Sequence, residues 1–380
     1  MLRVLAPLAL LALTGVVLAA CTRARDPAPV PFVDSGQDVG AGNSLCVATE
    51  DIDGDGDRDV LVANDDTASI LWINDGRATF ARGRQEFPSA TCAALADLDG
   101  DGDVDALLTN DQSLVLLNDG TGNLSLAGAV LITPGAVDAA LGDLDGDRDV
   151  DVVIAAWGHP EGLPNQVWLN VGDGSFVLGP HAVGTAVSVD VALGDVDADG
   201  DLDVLIANQA DANHDPVPDE LWLNDGDGGF ADSGLRLGRS STHAVRLADL
   251  DGDGDLDAVA ANTSHAGKSD PANTVWLNDG AGCFIDSGQR LGAVYSLGLA
   301  LGDLDNDGDL DAYVGNYQTA DHVWLNDGSG GFTDSGLLLG AQNGHAVALA
   351  DLDGDGDLDV FVANNTWQGG DGRNSIWLNQ

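Results

Sequence analysis

The sequence predicts an all-β fold: a seven-bladed β-propeller of four-stranded antiparallel blades, closed by an N-terminal strand that completes the last blade. Three observations predict it. An acidic segment, cleanest as Asp351-Leu-Asp353-Gly-Asp355-Gly-Asp357-Leu-Asp359, occurs seven times, starting at Asp51, Asp97, Asp143, Asp195, Asp249, Asp303 and Asp351. The starts lie 46 to 54 residues apart, a period that marks one supersecondary unit per copy. Around each copy run short apolar segments and a hairpin signal of the Asn-Asp-Gly type, with no sustained helical period beyond the N-terminal stretch.

In chain order, residues 1–20 read as a secretory signal. Met1-Leu-Arg3 gives a positive start, and the apolar run Leu5–Ala20 is short for a membrane span. Leu18-Ala19-Ala20-Cys21 resembles the bacterial lipobox. That resemblance implies cleavage before Cys21, lipidation of its thiol, and attachment to a bacterial membrane. Thr22 lacks the Asp associated with inner-membrane retention, which favours the outer membrane or cell surface. Residues 21–31 are a Pro-rich tether, and 32–380 form the propeller.

The last full unit shows how each blade is built. Gly344–Ala350 enters the acidic loop and Leu358–Ala363 leaves it as a β-branched and aromatic run, after which Ser375-Ile-Trp377-Leu378 forms a third strand. Earlier units continue through Asp-Gly-x-Gly-x-Phe into a fourth strand, as in Asp327–Gly340. The last unit lacks that piece, and Pro31-Phe32-Val-Asp34-Ser-Gly36 matches it, so residues 31–40 are expected to supply the missing outer strand. Trp72, Trp168, Trp222, Trp276, Trp324 and Trp377 recur at one repeat position, which suits packing between blades.

The formal charge is −49, with 63 acidic residues against 14 Lys and Arg. Almost all the acids are Asp, the short carboxylate that suits a tight metal loop. With no basic cluster in the sequence, nucleic acid is excluded as a partner. Within each loop the carboxylates fall at positions 1, 3, 5, 7 and 9. They are Asp51, Asp53, Asp55, Asp57 and Asp59; Asp97, Asp99, Asp101, Asp103 and Asp105; Asp143, Asp145, Asp147, Asp149 and Asp151; and Asp195, Asp197, Asp199, Asp201 and Asp203. The remaining three sets are Asp249, Asp251, Asp253, Asp255 and Asp257; Asp303, Asp305, Asp307, Asp309 and Asp311; and Asp351, Asp353, Asp355, Asp357 and Asp359. Side chains at 1, 3 and 5, the carbonyl at 7 and a bidentate carboxylate at 9 give six or seven oxygen ligands, the preference of Ca²⁺. Up to seven Ca²⁺ ions are therefore expected, as staples of the fold. Arg148 stands where the other loops have the glycine of the sharp turn, so blade 3 is expected to bind its cation most weakly.

These units resemble FG-GAP/VCBS-type repeats, which build the seven-bladed propeller of integrin α-chains and of bacterial surface proteins. Asp-x-Asp-Gly-Asp-Gly-x-x-Asp carries the resemblance, with Val-Ala-Asn after the second strand and Gly-Phe opening the fourth. The resemblance implies the fold and an adhesion or binding role; Val-Ala-Asn stands where integrins have Gly-Ala-Pro.

The acidic loops and hairpins fill one face of the propeller, and the other face varies. Its 2–3 loops are long in blades 3, 4, 5 and 7. All seven histidines are assigned there: His159, His214, His265 and His322 to loops, and His181, His243 and His345 to crossings between blades. Trp157, Trp367, Tyr317, Lys268 and Arg373 join them. Trp157, His159, His214, His243, His265, His345, Trp367 and Arg373 are the candidate ligand face. The expected function is an exported, lipid-anchored, monomeric binding or adhesion module for a surface protein or glycan. The alternative is a carbohydrate-active enzyme similar to polysaccharide lyases, working from that face. No catalytic residue is assigned: no unrepeated carboxylate pair stands out, and the recurring Asp-Ser-Gly segments read as turns. Cys46 and Cys92, each five residues before a loop, read as two buried small residues, although export makes a disulfide possible, and Cys283 reads as a neutral variant of a glycine.

Overall fold

The computed structural model describes residues 31–380 apart from His265 and Ala341; the signal, Cys21 and the tether up to Val30 lie outside the described residues. Seven four-stranded antiparallel sheets are present. In blade 1 the strands are Ser44–Glu50, Asp59–Asn64, Ile70–Asn74 and Phe80–Arg82, ordered from the inner edge outward. Blades 2 to 6 repeat the pattern across Cys92–Ile132, Ala136–Val183, Ser188–Leu237, Ser241–Leu291 and Ser296–Leu339. Among the described residues no helix is long and apolar enough to cross a membrane.

Blade 7 takes its inner three strands from Gly344–Ala350, Asp359–Asn364 and Ser375–Leu378, and its outer strand from Val33–Asp34. Val33 pairs with Leu378 and Asp34 with Trp377, as the sequence match anticipates. The segment beyond that strand also clips blade 1. Gln37 accepts a hydrogen bond from the Phe80 amide at 3.0 Å and donates to the Ala78 carbonyl. Val39 is fully buried with Val60, Trp72 and Phe361 between blades 7 and 1.

The second strand of each blade is buried throughout, because sheets of neighbouring blades cover both its faces. Seven apolar clusters result, one at each blade junction. The recurring Trp residues lie in six of them. Their rings pack near glycines where the preceding blade ends: Trp72 against Gly40, Trp276 against Gly238, Trp324 against Gly292 and Trp377 against Gly340. At the junction of blades 1 and 2, Leu116 takes the Trp position.

Cys46 and Cys92 are joined in a disulfide between the inner strands of blades 1 and 2, which corrects their reading as separate buried residues. Equivalent places in adjacent repeats became neighbours once the ring closed. Cys283 is free and exposed.

Candidate functional site: the two faces of the propeller

In the acidic loops, position 1 organises the turn. Asp51 Oδ1 accepts the amides of Gly54 (2.9 Å) and Asp55 (3.1 Å), and Oδ2 that of Gly56 (2.9 Å). Position 9 ties the loop to the blade. Asp59 Oδ2 accepts the Ile52 amide at 3.0 Å and Oδ1 the Asn74 amide at 2.9 Å. Position 7 points toward the hairpin, where a Cβ on Gly76 would meet the Asp57 carboxylate. The same clash recurs at Gly120, Gly172, Gly226, Gly280 and Gly328, which is why the hairpin reads Asn-Asp-Gly or its near relatives.

Two observations fit a cation. Carboxylate oxygens of Asp51, Asp53 and Asp59 lie within 4.8 Å of one another, as do those of Asp143, Asp145 and Asp151. At position 3, Asp53, Asp197 and Asp305 each hold a buried Oδ1 with no hydrogen-bond partner, a costly arrangement that a bound cation relieves. Burial, then the charge of neighbouring loop carboxylates, raises Asp53, Asp99 and Asp353 above the usual range. Burial does the same at position 9, lifting Asp59, Asp151, Asp203 and Asp359 to about 6 and Asp311 to about 7.

Sequence reading missed a ladder of asparagines at this face. Asn74 Nδ2 donates to Leu352 O at 2.9 Å, in the loop of the preceding blade, and to Arg58 O in its own at 3.1 Å. Asn118, Asn170, Asn224, Asn278, Asn326 and Asn379 make the same bond to the preceding loop, at 2.7–2.9 Å. Arg148 has φ +79 and keeps its amide on Asp143 Oδ2 at 3.1 Å. Position 4 also takes a positive φ, so Ala198 (φ +60) and Asn306 (φ +58) depart from the pattern in the same way.

On the opposite face the candidate residues fall into separate groups. His243, His345 and Trp367 come together: the His243–His345 ring centroids are 4.9 Å apart and those of His345–Trp367 5.0 Å. Each histidine directs Nδ1 to a backbone carbonyl of another blade, Leu297 for His243 (3.1 Å) and Leu45 for His345 (2.7 Å). Burial, and then His243, push His345 down to about 3, so it is neutral at physiological pH. Trp157 stacks on His159 at 5.5 Å and bonds Gln209 in the next blade. His214 sits in a long loop with φ +62, and neighbouring Asn213 and Asp215 receive the Lys268 ammonium. Arg373 projects into solvent beside Asp371. His265 lies outside the described residues. His322, assigned to a loop, is within the strand Asp321–Asn326, and His181, His243 and His345, assigned to crossings, are also within strands. The variable loops are shorter than their polar composition suggests.

The inner strands hold an unrepeated carboxylate pair that sequence reading overlooked. Asp138 and Asp190 occupy the column that begins with Cys46 and Cys92, five residues before each loop. Each accepts the amide of the following blade, Val191 at 3.1 Å and Val245 at 2.6 Å. Asp190 also pairs with Arg246 at 2.9 Å. Burial, with the charge of Asp190 next, raises Asp138 well above the usual carboxylate range. Extending the cysteine alignment to the later repeats would have found both.

A family model described as FG-GAP-like repeat matches residues 51–108, 97–154, 143–206, 195–260, 249–314 and 303–362. No curated protein matches the chain. Among solved structures, BBS1N in complex with ARL6DN, soaked with mercury, is similar over 93% of this chain and 98% of its own, with 11% identity and a TM-score of 0.63. The BP39L lectin from Burkholderia pseudomallei is similar over 89% of this chain and 96% of its own, with 14% identity and a TM-score of 0.59.

Proposed function

Because this chain belongs to the FG-GAP-like repeat family, we propose that it is a calcium-stabilised binding module, exported and lipid-anchored, whose ligand docks on the face opposite the acidic loops. The observation that carries this reading is the division of labour between the faces. One repeats the same carboxylate geometry seven times and leaves buried oxygens that want a cation. The other holds aromatic, histidine and arginine side chains that differ from blade to blade, on strand ends and loops of a rigid scaffold.

Between a surface protein and a glycan, the glycan is favoured. The lectin among the similar structures shares only the fold, but it shows that a propeller of this size serves glycan recognition. The test is a glycan and surface-protein array probed with the mature protein in calcium and in chelator. Calcium-dependent capture of a defined glycan class supports the proposal. Turnover of an acidic polysaccharide in the same samples would instead establish the lyase-like alternative.

A further inference from the structure

We propose that a cavity of about 490 Å³ between blades 4 and 5, on the face opposite the acidic loops, seats a saccharide unit bearing a carboxylate. The proposal rests on the glycan-binding reading and gives it a site and a ligand class. The volume lies in the range of small-molecule sites. The walls include Arg236, Arg239, Arg290, Trp276, Thr274 and Ser240. Three of the 14 Lys and Arg of a chain with formal charge −49 thus converge on one hollow, against Asp270 and Asp286 in the same wall.

Two of the guanidinium groups are rigidly held. Arg236 grips Asp232 with both terminal nitrogens, at 2.8 and 2.7 Å, and Arg290 grips Asp286 at 2.9 and 2.8 Å. Each also donates to the backbone carbonyl of the residue before it. A guanidinium has five N–H donors, so each keeps donors in fixed positions for ligand hydroxyls. Their acidic partners offer acceptors alongside, and the Arg236 hydrogen bonds hold Asp232 at about 2, so it stays ionised. Paired donors and acceptors around a half-buried indole match a sugar, which presents hydroxyls at its rim and C–H groups on its face. The indole N–H of Trp276 is occupied by Thr274 Oγ1 at 3.1 Å, so the ring serves as a wall and not as a donor.

Arg239 supplies the charge preference. It is exposed, and among the described residues it has no ion-pair partner. With Asp286 held by Arg290, Asp270 is the other acid in the wall, and it makes no ion pair with Arg239, which is left to take one ligand carboxylate. A strongly acidic peptide would need several, and the paired forks of Arg236 and Arg290 are not free for phosphate. Blade 6 does not repeat the combination. The residue in register with Arg236 and Arg290 in blade 6 is Leu338, opposite His322, and it is exposed with no charge to offer.

The decisive experiment is titration calorimetry on the mature protein in calcium. The probes are an oligosaccharide containing a uronic acid, its carboxyl-reduced neutral counterpart, and an oligoglutamate peptide. The variants are R239A, which removes only an exposed side chain, H243A, which alters the other group on this face, and R77A, which lacks an exposed arginine on the acidic-loop face. The uronate oligosaccharide should bind wild type and R77A alike. Loss of a charge-assisted hydrogen bond in R239A, or of the carboxylate in the reduced sugar, should weaken binding about tenfold or more. Unchanged affinity in R239A, equal binding of the neutral sugar, or tighter binding of the peptide overturns the site. Saccharide binding that is lost in H243A but kept in R239A preserves the glycan reading and refutes this location. If none of the saccharides binds, and the array is also empty of glycans, both fall together.

Discussion

At both ends of every blade, backbone amides are satisfied by a side-chain oxygen, yet the two ends choose differently. At the acidic end the acceptor is position 9, and all seven blades use Asp. At the opposite end the amide that ends the second strand is accepted by Ser69, Ser113, Asn165, Asp219, Asn273, Asp321 and Asn374. The difference follows from the number of donors. Position 9 must meet one amide with each oxygen, as Asp203 does for Val196 (3.0 Å) and Asn224 (2.9 Å). An asparagine has one acceptor oxygen and would fail. The opposite end has a single amide to satisfy, so any short oxygen serves and the remaining atoms are free to vary. Uniformity at one end and diversity at the other are consequences of hydrogen-bond arithmetic before any ligand is considered.

The largest test of this contrast is cation removal. A ligand at roughly five times its dissociation constant stabilises a site by about 1 kcal/mol, so seven sites give about 7 kcal/mol. Chelation should therefore lower the melting temperature by on the order of 10 °C, with lost hydrogen-exchange protection confined to the acidic loops. An unchanged melt in chelator would mean that amides alone hold the loops, and the contrast would reduce to hydrogen bonding.

Asp219 tests the variable end. It is buried with Oδ1 on the Asn208 amide (2.9 Å) and Oδ2 accepting from the Thr242 hydroxyl (2.8 Å), and burial lifts it from 3.8 to about 8. The folded state then holds a proton that the unfolded chain releases above 3.8. Stability is fully present at low pH and is lost as pH rises toward 8, by at most about 1.4 kcal/mol per unit. D219N copies what blades 3, 5 and 7 already have. It should flatten that slope in urea titrations across pH 4 to 8. A slope equal to wild type would show that Asp219 is ionised in the fold.

How much of this was legible in the sequence follows from range. Strands, loops, the closing strand and the Trp junctions repeat at a fixed spacing, so their meaning survives without coordinates. The asparagine ladder did not, because Asn224 bonds Leu144, 80 residues earlier, and the hairpin signal already explained its presence. Asp138 and Asp190 went unseen among 63 acids, since only their place in the column of Cys46 and Cys92 sets them apart. The Arg236, Arg239 and Arg290 hollow required the blades to be laid side by side.

The ladder offers a smaller and local test. N224A removes the two hydrogen bonds Asn224 donates, to Leu144 O (2.9 Å) and Leu202 O (3.1 Å), and the two it accepts from the Asp225 and Gly226 amides (2.9 and 3.2 Å), and leaves both carbonyls short of a donor. A loss of roughly 2 kcal/mol is expected, in calcium and in chelator alike, measured by chemical denaturation. A loss seen only in calcium would place Asn224 in service of the cation instead of the junction.

The smallest effect should come from restoring uniformity where the acidic end breaks it. Arg148 occupies φ +79, where six other loops have glycine at φ +95 to +100. A left-handed conformation costs a side-chain-bearing residue about 1 kcal/mol or more. Glycine gives back part of that through a freer unfolded chain, by about 0.4–1 kcal/mol. R148G should therefore be neutral to slightly stabilising in chelator, because the amide bond to Asp143 needs no side chain. In calcium the gain should grow, as removal of a guanidinium beside the loop leaves its carboxylates undiluted for the cation. The same comparison at Ala198, a neutral residue with φ +60 in position 4, separates strain from charge. A198G should stabilise equally with and without calcium, whereas R148G should not. If both variants respond to calcium alike, backbone geometry and not the arginine charge sets the rank of the sites.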